Sequence, residues 1–188
     1  MIPTMGSEPV GGQVHHVAYI ANLTRLAVAL VNGDELSELR REFFRQHRVA
    51  EPTADALSGL LPSLREAVTT VADGGPVGPI SALLERFPPM IYISDHDGED
   101  GRHLHFAPDG EEPLVWLGRS CSAALAHVIC GDPSVTVGRC QAGGCGRFYV
   151  DDSRNRSRRF CSNTCASRTT VAAHRARRAQ REPMDGRA

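Results

Sequence analysis

Four cysteines near the C-terminal end, Cys140, Cys145, Cys161 and Cys165, have the type and spacing that metal chemistry requires. They form two close pairs, Cys140-x4-Cys145 and Cys161-x3-Cys165, with fifteen residues between the pairs. Each pair can offer two thiolates to one ion, and the short span between them closes the loop into a tetrahedral zinc site. Glycines at 143, 144 and 146 allow the first pair to turn tightly. A set of four thiolates leaves no open coordination position, so the predicted zinc is a single structural ion and not a reaction centre. His174 lies nine residues past Cys165 and is superfluous to a complete set. Cys121 and Cys130 read as buried helix residues.

A second chemistry surrounds the first. Residues 1–138 hold 9 Arg and 18 Asp plus Glu, a balance of 9 − 18 = −9, whereas residues 139–188 hold 12 Arg and 4 acids, 12 − 4 = +8. The overall net charge of −1 therefore hides a basic C-terminal segment suited to a polyanion. All 21 basic residues are arginine. Arginine's planar fork matches phosphate and guanine bidentately, and such uniform usage also follows from biased genome composition. The candidate nucleic-acid contacts are Arg154, Asn155, Arg156, Arg158, Arg159, Arg168, Arg175 and Arg178. If "SRNRSRR" is extended, alternation sends Arg154, Arg156 and Arg158 to one face. Arg168 and Arg175, seven apart, share a helix face. The pattern suits phosphate neutralisation, with Asn155 or Ser167 as the residues able to touch base edges. Three alternatives stay open: an RNA partner, a protein partner with a purely structural finger, and masking of the basic segment by the acidic one.

These residues need a scaffold, and 188 residues with 41% hydrophobic content can bury a core. "VAYIANLTRLAVALVN" predicts a helix from about Val17 to Val31, with Ile20, Leu23, Leu26, Ala27, Leu30 and Val31 on one face. Asp34 caps a second amphipathic helix carrying Leu36, Leu39, Phe43 and Phe44. A third helix starts near Thr53, is broken or kinked by Pro62 and ends at Gly74-Gly75; "ISALLERF" gives a fourth. "MIYISDHDGEDGRHLHFAP" reads as a β-hairpin and "PLVWLGRSCSAALAHVIC" as one more buried helix. The fold class is thus α+β: a mostly helical N-terminal domain with a β-hairpin, plus a small treble-clef-like zinc finger at the C-terminus. The predicted boundaries are a flexible N-terminus at 1–13, the α+β domain at 14–135, the zinc finger with its basic helix at 136–182, and a tail at 183–188. There is no internal repeat, no apolar run of about 18 to 20 residues able to span a bilayer, and no signal peptide at the start. The expected compartment is the cytoplasm, where thiols stay reduced.

The segment "CGRFYVDDSRNRSRRFCSNTCASRTTVAAHRARR" resembles the CGNR zinc finger of bacterial transcription regulators, and the preceding residues resemble the ABATE domain that accompanies it. The resemblance implies a zinc-bound, DNA-binding, stress-linked regulator, with Cys140, Cys145, Cys161 and Cys165 as metal ligands. The Cys-Gly-Asn-Arg signature reads Cys165-Ala166-Ser167-Arg168 here, keeping the ligand and the arginine but not the amide. Double-stranded DNA is the expected partner; a small-molecule effector of the N-terminal domain and a homodimer are further candidates.

No enzyme is expected. The chain lacks a phosphate-binding glycine loop, a nucleophile elbow and an HExxH pattern. His96, His103 and His105 gather near Asp95, Asp97, Asp100 and Asp109, and the alternation in "HLHF" puts two histidines on one strand face, a geometry that could serve a second metal. The simpler expectation is a polar exposed face with Leu104 and Phe106 turned inward.

Overall fold

A computed structural model describes residues 11–34, 38–94, 102–131 and 135–181. Helix α1 (Gly11–Asn32) opens the described chain. Tyr19, Ile20, Leu23, Leu26, Ala27, Leu30 and Val31 are buried, but so are Ala21, Val28 and Ala29, so apolar contact surrounds most of the helix and is not confined to one stripe. The helix begins at Gly11, six residues before the predicted start, in a stretch with no proline after Pro9. Helix α2 (Glu38–Gln46) follows, delivering Phe44 to the core.

The next elements follow from their capping residues. Thr53 accepts a hydrogen bond from Ala56 N and opens α3 (Ala54–Ser58). Pro62 sits in the first turn of α4 (Leu61–Asp73), where its missing N–H costs nothing, and Gly74 ends that helix in the left-handed conformation at φ 65°. The expected break at Pro62 is therefore a new start. Helix α5 (Gly78–Arg86) packs on α4 and on α6 (Pro113–Ile129). Gly118 of α6 is required by close approach: a Cβ there would lie 2.3 Å from the Phe87 ring.

Between α5 and α6, β1 (Tyr92–Ser94) and β2 (His103–His105) pair antiparallel, with Ile93 opposite Leu104. The hairpin faces the other way from the expectation. His103 and His105 are buried, whereas Leu104 is 39% exposed; Phe106, past the strand end, is buried as predicted. The reason is that this inner face is lined by Tyr19, His47, Tyr92 and Asp109, which give the imidazoles ring and hydrogen-bond contacts. His96, Asp95, Asp97 and Asp100 lie outside the described residues. Cys121 is buried, and burial pushes its thiol up to about 12. Cys130 instead caps the end of α6 and is exposed, contrary to the reading of it as a core residue.

Strands β3 (Thr136–Arg139) and β4 (Phe148–Asp151) pair in register Val137 to Val150 and Arg139 to Phe148. Val137, Phe148 and Val150 join the same hydrophobic cluster as α1, α4 and α6. The Asn32 side chain extends the docking: Phe148 N donates to its Oδ1 and its Nδ2 donates to Phe148 O, both at 3.0 Å. Arg139 forks onto Asp73 at 2.7 and 2.9 Å, Arg147 pairs with Asp34, and Arg25 pairs with Asp152. Helix α7 (Asn163–Arg181) ends the described chain. Among the described residues, no helix is long and apolar enough to cross a membrane.

Candidate metal centre and nucleic-acid interface

The cysteine site is assembled by three pieces of backbone. Cys140 and Cys145 lie in the connection between β3 and β4, so the hairpin flanks the first pair on both sides. The turn is held by Cys140 N donating to Arg147 O and Cys145 N to Ala142 O, with Gly144 at φ 71°. Cys161 lies just ahead of α7 and Cys165 in its first turn. Ser162 accepts from Cys165 N at 3.2 Å, the bond of an N-cap side chain three residues back.

The four sulfur atoms lie within 4.8 Å of one another, and the Cys145–Cys161, Cys161–Cys165 and Cys165–Cys145 separations are each 3.6 Å. A disulfide would need about 2.05 Å. A tetrahedral ion with Zn–S bonds of about 2.3 Å has an S···S edge of about 3.8 Å. The cradle therefore has zinc dimensions, and its four thiols are the ligands of one structural zinc ion. Burial raises the Cys140 thiol, but backbone N–H groups of Cys161 and Ala142 outweigh it and bring the group down to about 7. Burial and the neighbouring thiols push Cys161 up to about 12. A dication displaces the remaining protons, so metal affinity falls with acidity.

Zinc with four thiolates carries a net charge of −2, which explains part of the arginine density. Arg147 is raised by its bond to Asp34 and also by the charge at Cys161 and Cys145. Arg168, the arginine retained in Cys165-Ala166-Ser167-Arg168, donates weakly to Gly143 O at 3.4 Å and lies 3.9 Å from Cys165 Sγ. It thus links α7 to the first cysteine turn, a supporting role for the metal.

The span 152–160 is not a strand. Arg156 adopts a left-handed φ of 43° in a turn closed by Arg156 N donating to Ser153 O, so the predicted alternation of Arg154, Arg156 and Arg158 does not occur. The turn is organised by Asp151, whose buried carboxylate accepts from Ser153 N at 2.9 Å and Arg158 N at 2.7 Å. Burial opposes its charge, but these bonds prevail and hold the carboxyl below its usual range. Sequence reasoning missed Asp151. Its signal is the Asp-x-Ser spacing directly after "FYV", an Asx-turn pattern.

The candidate contacts separate into groups. Arg158 donates to the Phe160, Val150 and Cys161 carbonyls at 3.0, 3.2 and 2.9 Å, so its fork braces the loop that carries Cys161. Arg154, Asn155, Arg156 and Arg159 are exposed on the turn, and Arg159 lies over the Phe160 ring. Arg168 and Arg175 do share a face of α7, lining a shallow groove with Asn163, Ser167 and Val171. Arg178 is exposed one turn further along. Arg139 and Arg147, which had no assigned role, make the pairs with the acidic part of the chain.

A comparison with curated proteins gives no match. Residues 136–178, which contain all four ligands, both finger strands and most of α7, match the family model of the CGNR zinc finger.

Proposed function

We propose that this chain is a bacterial, cytoplasmic, DNA-binding transcriptional regulator without catalytic activity, in which the zinc site holds an arginine-rich surface against duplex phosphates. The N-terminal residues act in this reading as an ABATE-like sensing or association domain. One observation carries it: Arg154, Arg156, Arg159 and Arg175 are exposed and form no salt bridge among the described residues, while Arg139 and Arg147 are paired with Asp73 and Asp34. Among the described residues the acidic part thus engages arginines at the hairpin, while these four on the turn and α7 face solvent. Exposed guanidinium groups on a turn held by Asp151 suit phosphate contacts; Asn155 and Ser167 are the polar groups beside them for base edges.

The test is a salt titration of duplex binding by the zinc-loaded chain and by a variant with Arg154, Arg156, Arg159 and Arg175 changed to Gln. Each lost phosphate contact lowers the log–log slope by about 0.9, so the variant is expected to lose about three to four units of slope. Equal slopes for both proteins, with zinc retained, would remove these residues from the interface.

A protein-interaction role is the second reading, favoured by Val171, which is 48% exposed between Arg168 and Arg175 on the same groove. In that case duplex binding is absent at low salt.

A further inference from the structure

We infer that His47, His105 and Asp109 form a second metal site, selective for a divalent first-row transition ion bound through nitrogen and oxygen. This does not rest on the DNA-binding reading and lies away from the cysteines in the chain.

Each of the three residues offers a ligand atom, and these atoms lie within 4.8 Å of one another. They come from separate elements: His47 follows α2, His105 lies on β2, and Asp109 lies in the turn after it. His47 and His105 are 1% and 0% exposed, and Asp109 is half-buried. The surrounding walls are aromatic. Tyr19 stacks on His105 at 4.7 Å between centroids, and Trp116 meets His47 edge-on at 5.1 Å.

The hydrogen bonds give each imidazole the second partner typical of a metal ligand. His47 Nδ1 lies 2.7 Å from Phe43 O. A carbonyl only accepts, so Nδ1 carries the proton and Nε2 carries the lone pair. His105 Nε2 lies 2.8 Å from His103 Nε2, and its Nδ1 lies 3.6 Å from Asp109 Oδ1. With metal–nitrogen and metal–oxygen bonds of about 2.1 Å, a tetrahedral edge is about 3.4 Å, so this pair is already spaced for a shared ion. When His105 Nδ1 ligates, its proton resides on Nε2 and is donated to His103 Nε2, while His103 keeps its own proton on Nδ1. Backbone carbonyl and imidazole thus orient the two ligands as second partners do in known sites.

Tyr92 lies across the His105–Asp109 pair. Its hydroxyl donates to Asp109 Oδ1 and meets His105 Nδ1, each at 3.0 Å. One hydroxyl bridges the two atoms that an ion would bridge. An ion must therefore displace Tyr92 or take it as a further ligand, which ties occupancy to the position of β1. Two imidazoles and one carboxylate suit zinc, cobalt or nickel, and the remaining positions stay open to water or a small ligand.

The experiment uses the full chain carrying its tetrathiolate zinc, titrated with Co²⁺ and with Ni²⁺ by calorimetry and absorption. One further equivalent is expected, with a Co²⁺ spectrum lacking thiolate charge transfer. Asp109→Asn and His47→Gln should weaken that binding about tenfold or more. Absence of a further equivalent in the wild-type chain, thiolate-only ligation, or unchanged affinity in both ligand variants overturns the site. If a variant fails to fold, the wild-type stoichiometry and spectrum decide.

Discussion

Arg158→Ala separates bracing from binding. The guanidinium donates to three backbone carbonyls, those of Val150, Phe160 and Cys161, and so joins β4 to the loop that delivers the third zinc ligand. Hydrogen bonds to a charged group are worth about 1.5–3 kcal/mol each when buried. Here Arg158 is exposed, and water can replace it at the carbonyls, so the combined loss should be about 1–2 kcal/mol. For a chain of this size that corresponds to a drop in Tm of roughly 2–8 °C. Arg159, one residue on, lies over the Phe160 ring and makes no carbonyl bond of this kind, so Arg159→Ala should shift Tm by less than about 1 °C. The assay is thermal unfolding of both variants with zinc bound, together with the rate of zinc capture by a chromogenic chelator. Faster zinc loss from the Arg158 variant alone is the expected result. Equal stability and equal zinc release in the two variants would refute the bracing role.

Cys161→Ser should abolish tight zinc binding, a coupling worth on the order of 10 kcal/mol in small fingers. Hydrogen exchange should then rise most in α7 and the cysteine turn and least in α4 and α6, whose Leu64, Val68, Leu117 and Leu125 are buried away from the cysteines in the shared core. Asp151→Asn should destabilise the chain by about 1–3 kcal/mol near neutral pH, since the carboxylate accepts two backbone N–H groups. Because the folded carboxyl sits below its unfolded value of about 3.9, this stabilisation is present above that pH and lost as pH falls through the folded value; the gap between wild type and variant in urea unfolding with excess zinc should close there. Gly118→Ala should cost about 1 kcal/mol by denaturant unfolding, because crowding of the Phe87 ring exceeds the helix-propensity gain of about 1 kcal/mol.

Much of the scaffold was legible because its signals are local. Thr53, Pro62 and Gly74 act within one turn of themselves, and each marks the helix boundary expected of it. The cysteine spacing was equally direct, since chelate geometry depends on short separations. Features set by tertiary contacts were not legible. Period-two alternation puts His103 and His105 on one face but cannot choose the face; Tyr92, Asp109 and His47, distant or offset in sequence, make the inward choice favourable. The arginine run looked extended until Asp151 drew Ser153 and Arg158 onto one carboxylate and forced a turn. Whether an arginine braces, pairs or stands exposed is likewise invisible in "CGRFYVDDSRNRSRR": Arg158 finds carbonyls, Arg147 finds Asp34, and Arg154 finds neither. The charge split was readable as a total, not as a partition.

In the proposed function a zinc-held basic surface binds duplex DNA. Fluorescence anisotropy of the full chain on a labelled duplex, from about 50 to 200 mM salt with and without a zinc chelator, tests it most directly. Binding should weaken steeply with salt and disappear when zinc is removed. Failure of the zinc-loaded chain to bind at the lowest salt, or binding that ignores both salt and chelator, would contradict it.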